Sequence, residues 1–136
     1  MTSFRLVAPD VYVSGQITAD DLILAKQQGI VRVVNNRPDH EEPGQPLASE
    51  LEAAALELGL DYIHAPARGM PGPDVVDAVE AALNDGGPVL LYCKSGMRSA
   101  AAWALASSRL GVTRTDILEG AASAGYDLSG LPLQTE

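Results

Sequence analysis

The stretch Pro88-Val89-Leu90-Leu91-Tyr92-Cys93-Lys94-Ser95-Gly96-Met97-Arg98-Ser99 decides how the rest of this chain is read. Residues 88–92 are a continuous apolar run without polar alternation, the pattern of a strand covered on both faces. From Ser99 the chain continues Ala-rich and unbroken to Leu110, which predicts a helix. Residues 93–98 therefore make a short loop from the carboxyl end of a buried strand into a helix. Such a loop gathers backbone N–H groups and the positive end of the helix dipole around one point, which is a site for an anion.

Each residue type in this loop has a chemical use. Cys93 is a nucleophile as the thiolate, and both the helix N-terminus and Arg98 favour that form. Arg98 carries a planar fork that grips two oxygens of an oxyanion. Gly96 lets the backbone turn tightly around the anion, and Lys94, Ser95, Gly96 and Met97 are expected to line it as binding residues. The Ser99 hydroxyl is expected to bond the sulfur when the thiolate becomes the leaving group, which makes Cys93, Arg98 and Ser99 the predicted catalytic set. The plainer reading takes Cys93 as a core thiol and Arg98 as a surface helix residue. The order strand, Cys, Gly, Arg, Ser, helix argues against it.

Outward from this loop, strands and helices alternate. Residues 4–7 and 11–14 are two short β-prone runs forming an opening hairpin. Thr18 caps a helix that Gly29 stops, and residues 30–34 follow as a strand. Residues 35–46 are polar and hold three prolines, so they form a loop at that strand's carboxyl end. A helix is predicted over 47–58, a strand over 62–64, a loop over 66–73, a helix over 74–84, and a last helix over 113–125, before a packed or frayed tail over 126–133. The fold class is α/β: a mostly parallel sheet of four to five strands flanked by helices, with the loops at 35–46, 66–73 and 93–98 on one crevice face.

Composition narrows the function. The chain has 136 residues, enough for one domain over 1–136 with one sizeable core. A net charge of −9 without any Lys/Arg cluster argues against nucleic acid or an anionic membrane as partner. No export or anchoring signal is legible, and a cytoplasmic location is expected. One cysteine forms no internal disulfide and is too few for a Cys-rich metal site, and His40 beside Glu41 and Glu42 matches no common ligand spacing. Neither a metal nor a cofactor is expected.

Ser14-Gly15-Gln16, Asn35-Asn36-Arg37-Pro38-Asp39, Glu41-Glu42-Pro43-Gly44-Gln45-Pro46 and Cys93-Lys94-Ser95-Gly96-Met97-Arg98-Ser99 together resemble the phosphatase-like domain of the beta-lactamase hydrolase-like proteins. The resemblance covers nearly the whole chain. It implies a fold of the protein-tyrosine and dual-specificity phosphatase type, in bacterial proteins that stand alone or are fused to a metallo-beta-lactamase-type domain. A metallo-beta-lactamase-type domain acting in trans is accordingly a candidate partner. Members are called phosphatases or sulfur transferases, so the resemblance leaves the substrate open.

Two features tilt the sequence reading towards sulfur. Tyrosine phosphatases place five residues between Cys and Arg, usually with His before the Cys; here Tyr92 precedes Cys93 and four residues lie between Cys93 and Arg98, a shorter loop that resembles that of rhodaneses. A smaller ring suits a terminal sulfur better than a phosphoryl group. Phosphatases of this fold also carry an acidic Asp in the loop ahead of the penultimate helix, whereas residues 64–69 offer Arg68 and no Asp. Asp74 and Asp77 are nearby substitutes, more naturally read as an N-cap and a first-turn acid. Arg37 and Arg68 are predicted to bind substrate, with pairing of Arg37 to Asp39, Glu41 or Glu42 as the competing reading. The expected reaction is sulfur transfer through a Cys93 persulfide, from a small anionic sulfur donor to a thiol acceptor. The alternative is hydrolysis of a phosphate ester through a phosphocysteine on Cys93.

Overall fold

The computed structural model describes residues 3–133. In chain order the elements are β1 (Arg5–Ala8), β2 (Val11–Ser14), α1 (Ala19–Gln27), β3 (Arg32–Asn35), α2 (Ala48–Glu57), β4 (Asp61–His64), α3 (Pro73–Asn84), β5 (Val89–Tyr92), α4 (Met97–Arg109) and α5 (Arg114–Ser123). The sheet has five strands in the order β1-β2-β5-β3-β4. Only β1 pairs antiparallel, as the outer arm of the opening hairpin; all other pairings are parallel.

β5 is the central strand, and its unbroken hydrophobicity follows from that position. Val89 and Leu91 face one core with Val13, Val34 and Trp103, while Leu90 and Tyr92 face the other with Leu22, Val33 and Leu51. The period of two is thus intact, but both faces are covered, so no polar residue is called for. All four strand residues are at most 1% exposed. Helices α3, α4 and α5 contribute to the first core; α1 and α2 contribute to the second.

Local signals set most boundaries. Thr18 caps α1 through its hydroxyl and Asp21 returns a bond to the Thr18 backbone, a capping box. Asp39 reaches from the long loop to the Ala48 backbone N–H and so caps α2 from outside the helix. Most element starts fall one or two residues from expectation, β3 beginning at Arg32 and not at 30, and two of the shifts bear on the site. α3 begins at Pro73 with Gly72 as its N-cap, so Asp74 is a first-turn acid and not the cap. α4 begins at Met97, two residues before Ser99, because Gly96 at φ +97 turns the chain directly into the helix. Arg98 is thereby fixed on the first helical turn instead of hanging in a loop. The tail after α5 is packed: Tyr126, Leu128, Leu131 and Leu133 are all buried.

Candidate active site

The parallel strands β2, β5 and β3 end side by side, at Ser14, Tyr92 and Asn35, and their outgoing loops converge on Cys93. The Ser14-Gly15-Gln16 segment lies against the Cys93 loop so closely that a Cβ on Gly15 would stand 2.9 Å from the Lys94 carbonyl oxygen. The Gln16 backbone N–H donates to that same oxygen at 3.2 Å, and the Cys93 N–H donates to the Ser14 carbonyl at 3.4 Å. Cys93 is fully buried at the base of the loop, and the Gly96 N–H donates to its Sγ at 3.1 Å. That hydrogen bond, from the N-cap residue of α4, is the fixed backbone dipole the sequence anticipated near the sulfur.

Asn36 locks the loops together. It is fully buried: its backbone N–H donates to the Tyr92 carbonyl, its Nδ2 to the Ala65 carbonyl at 2.9 Å, and its Oδ1 accepts the Ser99 hydroxyl at 2.8 Å. Its own carbonyl accepts from the Ala67 N–H. Ser99 consequently does not take the expected place. Its single hydroxyl proton is committed to Asn36 and not to the Cys93 sulfur, so Ser99 ties α4 to the β3 loop. Tyr92, the residue before Cys93, points away on the other sheet face, where its buried hydroxyl pairs with that of Tyr62 at 2.7 Å.

Arg98 and Arg37 are joined by one carboxylate. Glu41 accepts from Arg98 Nη1 at 2.8 Å and Nη2 at 2.9 Å, and from Arg37 Nε at 2.8 Å. Arg98 Nη1 also donates to the Ala67 carbonyl at 2.6 Å. Three of the five Arg98 N–H donors are thereby used, which leaves Nε–H and one Nη2–H on the same edge for an oxyanion. The Arg98 pKa is raised, chiefly by the bond to Glu41 against the opposing effect of burial, and Cys93 adds to the rise. The bond to Arg98 is also the main cause that pushes the Glu41 carboxyl down to about 2, with Arg37 reinforcing it against desolvation. Burial works against the Arg37 charge, but Glu41 and Glu42 outweigh it and raise its pKa.

Arg37 was expected to touch substrate, with pairing to the nearby acids as the competing reading. Its side chain is only 3% exposed and its donors go to Glu41, Glu42 and Gln16, so it anchors the loop and holds Glu41 for Arg98. Lys94 is exposed at the rim, 3.6 Å from Glu42. Ser95 accepts the Met97 N–H on its hydroxyl, and Met97 is exposed beside Arg98. Arg68 is exposed and makes no hydrogen bond or ion pair with the described residues; its neighbour Ala67 supplies the contact to Arg98. Asp77 pairs with Arg109, at the far end of α4. A groove of about 400 Å³ opens next to Arg98, lined mainly by apolar side chains such as Met70, Pro71, Met97 and Leu128, with Asp127 also in its wall. Glu41, Asn36 and Tyr126, whose hydroxyl donates to the Ser95 carbonyl of the loop, are the residues the sequence reading did not place in the site; the signals were the Arg37/Glu41 spacing of four and an Asn following a buried strand, with none for Tyr126.

Among the described residues no cluster of His, Cys, Asp and Glu is arranged to hold a metal ion, and no helix is long and apolar enough to cross a membrane. The arrangement as a whole is a buried thiol that accepts the Gly96 N–H, with the Arg98 guanidinium near enough for the two groups to interact. Such a set of groups is chemically equipped for nucleophilic displacement on a small oxyanion.

Comparison with known proteins bears on the family and the fold. A beta-lactamase hydrolase-like protein of Agrobacterium fabrum is 33% identical over 122 residues, which is 85% of this chain; the chain spans 28% of that relative's length. A crystal structure from Neisseria meningitidis, provisionally assigned as a phosphatase, superposes with a TM-score of 0.75 at 28% identity, over 92% of this chain and 90% of that one. Tk-PTP in its active form shares the fold at 21% identity, with a TM-score of 0.67 over 92% of this chain and 86% of its own. The fold is therefore that of the protein-tyrosine and dual-specificity phosphatases. Residues 3–110 match the family described as the beta-lactamase hydrolase-like protein, phosphatase-like domain, and the chain belongs to that family.

Proposed function

We propose that the protein is a cysteine-dependent phosphatase that hydrolyses a phosphate monoester through a phosphocysteine on Cys93. The observation that carries this reading is the convergence on the Cys93 sulfur of the Gly96 N–H and the Arg98 guanidinium, whose charge the sulfur helps to stabilise, within a fold shared with tyrosine phosphatases. In the first step the thiolate attacks phosphorus, the S–P bond forms, and the ester oxygen leaves with its electron pair. Arg98 and the loop N–H groups carry the charge on the equatorial oxygens. In the second step water attacks phosphorus, the S–P bond breaks, and inorganic phosphate leaves with the thiolate restored. The organic part of the ester lies in the apolar groove beside Arg98, which favours an aryl or other apolar group. A thiolate nucleophile that must remain reduced fits the cytoplasm.

Sulfur transfer, which the sequence put first, is the second reading, and two observations favour it. The loop holds one residue fewer than that of tyrosine phosphatases, and the described carboxyls around it are engaged: the Glu41 pKa is held down to about 2 between two arginines, that of Asp127 in the groove beside Arg98 is kept low by bonds from Ser129, and Asp77 pairs with Arg109. Sulfite leaves thiosulfate without needing a proton, whereas an alkoxide does not leave a phosphate so easily. On this reading Cys93 carries a persulfide, a thiol accepts the sulfur, and a metallo-beta-lactamase-type partner acts in trans. The relatives' phosphatase names weigh on the other side and give phosphate the lead. Turnover of an aryl phosphate, competitively inhibited by tungstate and abolished in Cys93→Ser, is the expected outcome. Turnover of thiosulfate alone by the same preparation would transfer the lead to sulfur.

A further inference from the structure

Tyr126 stands in the segment after α5, far in sequence from the Cys93 loop, yet its hydroxyl donates to the Ser95 carbonyl oxygen at 3.3 Å. Ser95 C=O and Gly96 N–H belong to one peptide plane. All peptide bonds among the described residues are trans, so in this plane the carbonyl and the N–H point in opposite directions. On the side away from Tyr126 the same plane presents the Gly96 N–H to Cys93 Sγ at 3.1 Å. The plane is thus held at one edge by a phenol and used at the other by the nucleophile.

A latch is needed because of the residue at the hinge. Gly96 sits at φ +97 and, without a Cβ, is free to rotate into other regions of backbone space, taking the N–H away from the sulfur. The ring is seated close enough that a Cβ on Gly96 would stand 2.1 Å from the Tyr126 hydroxyl. Tyr126 is itself fixed: it is 7% exposed, its backbone N–H donates to the Ala121 carbonyl, and the Arg5 guanidinium lies 5.9 Å from the ring centroid while bonding the Ala124 carbonyl. Burial raises the Tyr126 pKa, and Cys93 contributes to the rise, which fits a phenol that stays protonated and near the sulfur.

We propose that Tyr126 is a positioning residue for the nucleophile: its hydroxyl locks the Ser95–Gly96 peptide in the orientation that gives the Cys93 thiolate its backbone hydrogen bond. The inference rests on Cys93 being the nucleophile but not on the choice between phosphate and sulfur. It therefore calls for a test that uses neither substrate.

Alkylation of Cys93 by iodoacetamide, followed from pH 5 to 10 in wild type and Tyr126→Phe, reads the thiolate directly. In Tyr126→Phe the rate should fall roughly three- to tenfold at the low-pH foot of the profile, the loss of one hydrogen bond to a charged group, partly offset by a more nucleophilic sulfur. It should be no slower at the alkaline plateau, with the melting temperature unchanged, whereas a merely structural defect would slow or speed the whole profile alike. Superimposable profiles in the two proteins overturn the proposal. In the wild type the Gly96 amide proton should shift with the ionisation of Cys93, and a Gly96 amide that does not respond to that titration overturns it without any variant. Loss of aryl phosphate turnover alone would bear on the proposed reaction and leave the role of Tyr126 to these two readouts.

Discussion

Replacing Glu41 by Gln changes one atom and separates two roles that this carboxylate could play towards Arg98. Glu41 accepts three N–H donors, two from Arg98 and one from Arg37. A Gln side chain keeps one oxygen and turns an NH2 towards a guanidinium, so at least one Arg98 bond is lost together with the charge. Hydrogen bonds to charged groups contribute about 1.5–3 kcal/mol each, and the partly exposed setting of Glu41 puts the effect at the lower end. If Glu41 orients Arg98, the guanidinium edge facing Cys93 becomes mobile and an oxyanion binds about tenfold more weakly, equivalent to about 1.4 kcal/mol. If instead Glu41 occupies the place of the substrate anion, its removal tightens binding. Donor counting favours the first, because Nε–H and one Nη2–H of Arg98 remain available with Glu41 in place. Calorimetric titration of tungstate into wild type and Glu41→Gln decides, with Glu42→Gln as control, since Glu42 bonds Arg37 and Lys94 but not Arg98. Tighter or unchanged tungstate binding in Glu41→Gln would refute the reasoning.

The low Glu41 pKa also makes a pH prediction. The folded value of about 2 lies below the model-compound value of 4.5, so its ion pairs stabilise the fold fully above pH 4.5 and lose their effect as pH falls through 2. The stability gap between wild type and Glu41→Gln, measured by urea unfolding, should therefore be constant from pH 5 to 7 and shrink towards pH 2; a gap independent of pH contradicts the assignment. Ser99→Ala leaves the buried Asn36 Oδ1 without its donor and should cost about 1–3 kcal/mol in urea unfolding. Cys93 alkylation should be nearly unaffected in Ser99→Ala, because the hydroxyl does not bond the sulfur; a large slowing would restore the expected direct role. Glu41 and Asp127, the described carboxyls beside Arg98, are both held below the usual carboxylate range and are poor proton donors to the leaving oxygen, so kcat/KM for a series of aryl phosphates should fall steeply as the phenol becomes more basic. A flat dependence would point to a general acid.

The parts of this protein legible in its sequence are those where one local signal dominates. The unbroken Val89-Leu90-Leu91-Tyr92 run announces a central strand because both of its faces are covered, and Gly96 followed by Arg98 and Ser99 announces a turn into a helix. Loop partners set by tertiary contact were harder to read. Arg37 was open between substrate and carboxylate because sequence spacing does not reveal burial; the structure places it inside, held by Glu41 and Glu42. Ser99 looked free for the sulfur because nothing local marks Asn36, 63 residues away, as its acceptor. Tyr126 was read only as part of a tail, since its bond to Ser95 spans 31 residues and depends on how α5 docks. The choice of electrophile is the deepest case. Loop length is visible in sequence, whereas the space it encloses depends on the orientation of individual peptide planes such as that between Ser95 and Gly96.

The central claim is that Cys93 attacks phosphorus. The most direct measurement is rapid acid quenching of the protein during turnover of an aryl phosphate, and in parallel after exposure to thiosulfate, followed by mass spectrometry of the peptide that contains Cys93. The account predicts a phosphoryl adduct on the Cys93 sulfur that forms and decays at rates consistent with turnover and is absent in Cys93→Ser. A persulfide from thiosulfate with no phosphoryl adduct from any aryl phosphate would contradict it.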